Sequence, residues 1–239
     1  MRIAGKTALV TGGTDGIGYE IARQLKERGA IVAVCGRNTG RLASARDQGF
    51  QAIEADLSTK AGCDTLVEEL SGVPIDILVN NAGMGGPSAL LDGFDLDQTD
   101  RAIFLNLNAP MHLIAGFLPT LRQRPEATIV NVTSGLAIAP RADGAVYCAT
   151  KAGLRSFTQA LRHQLKATNI TVIEALPPVV ETQMTAQNTH KKMPAADCAA
   201  DIVKAIETGQ TEAYIGATKM LRVVSEISPA LARRVMINY

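Results

Sequence analysis

Residues 7–29 read TALVTGGTDGIGYEIARQLKERG, and three kinds of local pattern follow one another within them. The opening TALV is apolar and β-branched, as in a strand covered on both faces. Residues 11–18, TGGTDGIG, then place four glycines within eight positions. From Gly16 onward apolar residues return with the period of an amphipathic helix. Strand, glycine turn and helix in that order open a βαβ unit. Glycines at such a turn let the chain reverse tightly, let backbone approach a pyrophosphate and let the helix pack close to the strand. The helix N-terminus meanwhile presents unpaired N–H groups to an anion. Gly12, Thr14, Asp15, Gly16, Ile17 and Gly18 are therefore the expected dinucleotide contacts. An ordinary strand-to-helix loop is the alternative, which the βαβ context disfavours. A P-loop built on Gly5-Lys6-Thr7 is excluded, because its first glycine would precede the chain and the triplet comes before the strand.

Short runs rich in Val and Ile recur at 31–35, 51–55, 75–80, 128–132, 171–176 and 213–215. Helical segments separate most of them, among them STKAGCDTLVEELSG and a long stretch over about 97–124. Continuously apolar strands alternating with helices form a parallel sheet covered on both faces, with right-handed crossovers. The predicted fold is α/β: a single-domain Rossmann fold with a doubly wound, seven-stranded parallel sheet flanked by helices on both faces. No linker, repeat or low-complexity stretch interrupts the pattern, so residues 1–239 are read as one dinucleotide-binding domain with a C-terminal helical extension at about 217–239.

The composition, 46% hydrophobic and 20% charged, is that of a globular protein. A formal charge of +1 supplies no general attraction to nucleic acid, and the absence of Trp argues against base stacking. No stretch reads as a membrane span. Cys35, Cys63, Cys148 and Cys198 lie far apart without Cys-x-x-Cys or a His cluster, against both a metal site and a disulfide framework. Reduced thiols and an N-terminus without a signal-peptide pattern lead to an expected cytoplasmic location.

The second strand ends Cys35-Gly36-Arg37-Asn38. A free ribose 2′-hydroxyl favours an acidic partner at this place, whereas a 2′-phosphate favours arginine. Arg37 therefore makes NADP(H) the preferred cofactor, with NAD(H) possible. Further along, Tyr147 and Lys151 stand at i and i+4 of a helical pattern, on one face. Taken alone, that pair is a common accident.

The series TGGTDGIG at 11–18, DL at 56–57, NNAG at 80–83, LNLNAPMHL at 105–113, NVTSG at 131–135 and YCATK at 147–151 resembles the short-chain dehydrogenase/reductase family. The likeness runs over about residues 6–215. It implies that Asp56 and Leu57 lie beside the adenine, that Asn80, Ala82 and Gly83 support the cofactor, and that Thr182 contacts the nicotinamide carboxamide. Pro177 and Val180 join that cofactor set. It also implies a tetrad: Ser134 orients a substrate carbonyl, Tyr147 moves the proton, Lys151 binds the nicotinamide ribose and Asn106 helps to hold a water relay. A nearby ammonium favours a phenolate, so Lys151 is expected to lower the pKa of Tyr147. The implied activity is hydride transfer between a nicotinamide and a small carbonyl or secondary alcohol substrate, with a nucleotide-binding redox sensor or scaffold without turnover as the alternative.

Two departures stand out. Where the family commonly has Pro-Gly, this chain has Pro177-Pro178, which stiffens the root of the expected lid at 179–194. Beyond residue 216 it continues ATKMLRVVSEISPALARRVMINY, a tail similar to that of a DltE-like subgroup of bacterial oxidoreductases. Leu221, Val224, Leu231 and Val235 are expected to form an apolar stripe there, broken by Ser228-Pro229, with Arg222, Arg233 and Arg234 elsewhere; an extra helix packed on the same subunit is the plain reading, and a dimer contact or lipid surface the alternative. A homodimer through the two long helices is the expected assembly, with a tetramer possible. Substrate specificity is expected from 84–91, 136–141 and 179–194.

Overall fold

The computed structural model describes residues 1–87, 93–187, 189 and 191–238. Among the described residues there are seven strands: β1 (Thr7–Thr11), β2 (Ile31–Gly36), β3 (Gln51–Glu54), β4 (Ile77–Asn80), β5 (Ala127–Val132), β6 (Ile170–Leu176) and β7 (Glu212–Tyr214). They form one sheet in the order β3-β2-β1-β4-β5-β6-β7, and every pairing is parallel. The chain winds outward from β1 to β3, then returns to lay β4 on the other side of β1. That reversal opens the crevice in which doubly wound sheets bind ligands, at the C-terminal ends of the strands.

Helices α1 (Gly16–Glu27), α2 (Thr39–Asp47) and α7 (Ala195–Thr208) cover one face. Ile21, Leu25, Ile202 and Val203 pack there with Val10, Val34, Val130 and Ile173. Helices α3 (Lys60–Glu69), α5 (Ala109–Arg122) and α6 (Ala145–Gln164) cover the other. Leu66, Leu113, Phe117 and Leu161 meet Leu9, Leu78, Ile129 and Val172. Neighbouring strand residues thus feed opposite cores, which is why the strands read as unbroken apolar runs.

The predicted helix over 97–124 is three pieces: α4 (Leu96–Ile103), a π turn over Phe104–Asn108, and α5. Pro110, in the first turn of α5, has no N–H to continue the ladder backward, and the wider turn accommodates the break. By length and composition Leu96–Arg122 could cross a membrane, yet Leu113, Ile114, Phe117 and Leu121 lie in the core against the sheet. The fourth strand starts at Ile77, not 75, because Ile75 turns back to the Val73 carbonyl at 2.9 Å. The seventh ends at Tyr214, after which Ile215 N–H is shared between the Leu176 carbonyl at 3.2 Å and the Thr218 hydroxyl at 2.8 Å.

The tail forms α8 (Thr218–Ile227) and α9 (Pro229–Met236), with Ser228 capping α9 through Leu231 N–H. The expected break falls at Ser228, and the four stripe residues take different surroundings. Leu221 and Val224 turn inward, while Met220, Val223 and Ile227 point outward with Leu231 and Val235.

Candidate active site

The glycine turn is locked from both sides. The Asp15 carboxylate caps α1 by accepting Gly16 N–H at 2.9 Å, and Gly16 has a φ of +54°, which a β-carbon would disfavour. A Cβ on Gly18 would stand 2.3 Å from the Gly12 carbonyl oxygen, so only glycine lets α1 start this close to β1. The Thr11 hydroxyl accepts Asn81 N–H and Ala82 N–H, each at 3.0 Å, tying the end of β1 to the end of β4.

One crevice runs along these strand ends. Of the predicted cofactor residues, Gly12, Thr14, Asp15, Gly16, Ile17, Arg37, Asp56, Leu57, Ala82, Gly83, Pro177, Val180 and Thr182 line it, together with Ser134, Tyr147 and Lys151. Gly18, Asn80 and Asn106 lie behind its wall. Asn80 is a buried strut whose Nδ2 donates to Asn131 Oδ1 at 2.8 Å; the next residue, Asn81, faces the crevice instead. A strand alternates its side chains, so neighbouring asparagines take different surroundings.

Asn106 is fully buried on the π turn. Its Oδ1 accepts Met84 N–H at 2.9 Å, and its Nδ2 donates to the Met84 carbonyl at 2.8 Å and to the Thr150 hydroxyl at 3.1 Å. Lys151 is also buried, and its Nζ donates to the Val132 carbonyl at 2.8 Å. An atom at the Cβ position of Gly83 would stand 3.1 Å from Asn106 Oδ1 and 3.6 Å from Lys151 Nζ, so the three converge. Ser134 follows β5 and caps the turn Gly135–Ala137 through Leu136 N–H.

The family profile described as short chain dehydrogenase matches residues 6–193. The chain belongs to the short-chain dehydrogenase/reductase family. It is similar to the uncharacterized oxidoreductase DltE of Bacillus subtilis (strain 168), with 41% identity over 204 residues covering 80% of this chain and 78% of that protein. The expected DltE-like relationship is thereby borne out. Among solved structures, it superposes with a TM-score of 0.89 and 24% identity on a short chain dehydrogenase from Burkholderia cenocepacia J2315 in complex with NADP, covering 100% of both chains. Against one from Burkholderia phymatum in complex with NAD the values are 0.82 and 21%, covering 95% of this chain and 96% of that one. At these identities the two likenesses establish the fold.

The electrostatics of this short-chain dehydrogenase/reductase correct one expectation. Burial, not the Lys151 charge, sets the direction of the Tyr147 shift: Lys151 Nζ is 5.7 Å from the ring centroid and donates to the Val132 carbonyl. Burial pushes the phenol up to about 12, with the Ser134 hydroxyl and Arg141 pulling down and Cys148 pushing up. Burial likewise brings the Lys151 ammonium down to about 8. The four thiols are free and buried, and burial raises Cys35 and Cys198 to about 12 and Cys63 to about 11. Such thiols are poor nucleophiles.

At the far end of the crevice, Arg37 lies 3.6 Å from the Asp56 carboxylate and Arg101 3.7 Å. Partial burial pushes Asp56 up, but two hydrogen bonds from Ser58 and the two arginines outweigh it and hold it below its ordinary value. A second basic residue, Arg41, was missed. It stands in the first turn of α2, 3.0 Å from Asp15, and also donates to Gln183 at 2.9 Å. Its signal was the Asn38 cap, which accepts Arg41 N–H and starts the helix that aims this residue at the crevice.

On the substrate side, Met193 N–H donates to the Val179 carbonyl at 2.9 Å and the Met193 carbonyl accepts Glu181 N–H at 2.8 Å, pinning the two ends of the lid together. Thr182 and Thr185 cap one another, and exposed Met184 borders the crevice. Of the expected specificity segments, residues 88–91, 188 and 190 lie outside the described residues.

Proposed function

We propose that this chain is an NADP(H)-dependent oxidoreductase that interconverts a small carbonyl compound and its secondary alcohol, with Tyr147 as the general acid and base. The observation that carries this reading is the meeting of Ser134, Tyr147 and Lys151 in the same crevice as the locked glycine turn. When bound, the nicotinamide supplies or accepts the hydride. The Gly12–Gly18 turn would hold the pyrophosphate on the open N-terminus of α1. Asp56 and Leu57 would flank the adenine, and Thr182 the carboxamide.

Ser134 would donate a hydrogen bond to the substrate oxygen where negative charge develops, a contact type contributing about 2.7–4 kcal/mol. A phenol held up near 12 keeps its proton at neutral pH and can deliver it to that oxygen in reduction. Lys151 would hold the ribose, and Asn106 would fix Met84 and Thr150 around the lysine. Arg37 and Arg41 support NADP(H) over NAD(H), since either guanidinium can reach for a phosphate that a free ribose lacks.

The protein would act in the cytoplasm as a homodimer through its long helices. The test is NADPH absorbance after addition of a panel of aldehydes, ketones and sugars, with Tyr147→Phe as the control. Turnover lost in the variant, with cofactor binding retained, supports the reading. Cofactor binding without turnover across the panel transfers it to the sensor alternative.

A further inference from the structure

The C-terminal hairpin α8–α9 presents a surface that the site chemistry does not use. Met220, Val223 and Ile227 occupy i, i+3 and i+7 of α8 and are 70%, 52% and 80% exposed. They stand opposite Thr218, which is buried, so α8 is amphipathic with apolar residues on its outward side as well. On α9, Leu231 and Val235 at i and i+4 are also exposed while Ala232 is buried. Apolar side chains arrayed outward on two consecutive helices exceed the scattered exposure of an ordinary surface.

The polar residues among them are mostly basic. Residues 217–238 contain Lys219, Arg222, Arg233 and Arg234 against a single acid, Glu226, on a chain whose whole formal charge is +1. Glu226 pairs with Arg222 at 2.7 Å, and among the described residues Lys219, Arg233 and Arg234 have no carboxylate partner. Two copies of this surface, meeting about a two-fold axis, would bring like charges together around the apolar residues. An anionic lipid surface satisfies both features: acyl chains accept the apolar side chains and headgroups accept the cations.

We propose that α8–α9 is a peripheral docking face for anionic membrane. The hairpin is tied to the region beside the site, because the Ile237 carbonyl accepts Ala142 N–H at 3.0 Å in the loop that leads to Tyr147. Docking would therefore set the substrate side of the crevice near the lipid.

The test is co-sedimentation of the full chain with phosphatidylcholine vesicles, with and without phosphatidylglycerol, at low and high salt. Binding is expected only with phosphatidylglycerol, and released by salt as screening shortens the reach of the arginines. Replacing Met220, Val223 and Ile227 together by Ser should weaken it about tenfold or more, as should Arg233→Glu with Arg234→Glu. Circular dichroism and light scattering on the same variants verify fold and mass. Absence of binding to either vesicle, or binding that neither variant weakens, overturns the proposal. So does a drop in particle mass in the Ser variant, which would make the face a contact between copies.

Discussion

Tyr147 and Lys151 are polar groups placed where water is scarce, and each is held toward its neutral form. For Lys151 the folded value of about 8 lies below the ordinary 10.5, so between those pH values the unfolded chain binds more protons than the fold. The burial penalty is thus full below about pH 8 and is relieved as pH rises toward 10.5. Tyr147 acts in the opposite sense: its contribution is present below 10 and is lost as pH rises through about 12. Comparison of wild type with Lys151→Met should show the wild-type urea midpoint gaining on the variant from pH 8 to 10; parallel curves would contradict the burial of this charge. Asn106→Ala leaves both Met84 backbone groups without their partner inside the protein, while the Thr150 hydroxyl loses one donor and keeps the Tyr147 carbonyl. A loss of about 2–4 kcal/mol in denaturant titration is expected, together with a fall in turnover. Tyr147, Lys151 and Asn106 were singled out through the family resemblance, but the direction of the Tyr147 shift could not be read from the sequence. A pair at i and i+4 specifies a shared face, whereas the balance between burial and charge depends on the walls around it.

At the scale of elements, the junction after β7 touches three parts of the site at once. The Thr218 hydroxyl donates to the Leu176 and Ile215 carbonyls, each at 2.8 Å, fixing α8 to the end of β6. Gly216 abuts Pro178 and Met193 at the lid root, and a Cβ on Gly135 would fall 2.8 Å from Thr218 Cγ2. Gly135→Ala should therefore move α8 against the segment that follows Ser134, lowering kcat more than it raises the KM for cofactor. An unchanged kcat would show that α8 and the Ser134 turn move independently. Arg37→Ala should raise the KM for NADPH about ten- to a hundredfold while leaving that for NADH nearly unchanged, the size of a charge-assisted hydrogen bond. If Arg41→Ala has the larger effect, the helix start, not the strand end, sets cofactor choice. Strand positions were legible because burial on both faces makes them continuously apolar. Helix α2 was not singled out, since it buries only Leu42 and Ala45. The π turn was hidden because residues 97–124 keep a helical composition through it. The packing of the tail was hidden because it depends on which side chains of α8 find room beside Gly135.

At the scale of the whole molecule, Leu96–Arg122 is more apolar than its burial within one chain explains. Only 44% of its most apolar window is buried, although its composition would suit a bilayer. On α5 the exposed positions include Ala115 and Pro119, and on the neighbouring α6 they include Ala149, Ala152 and Ala160. Small side chains leave these helices smooth, so a second copy can approach without displacing long charged groups. The resulting two-fold contact would bury the remaining apolar surface of both helices. Multi-angle light scattering is expected to give a mass near twice 25.2 kDa, and Ala152→Arg should return it toward a single chain by placing a charge at the contact. The same substitution lies off the catalytic edge, so cofactor binding to the dispersed chain should persist. A wild-type mass of one chain would leave the apolar side of α5 without its proposed partner, whereas a mass near four chains would require a second face besides this one. The Ser variant on α8 separates that last case. It should leave the dimer intact while weakening vesicle binding, because the two proposed faces are carried by different helices.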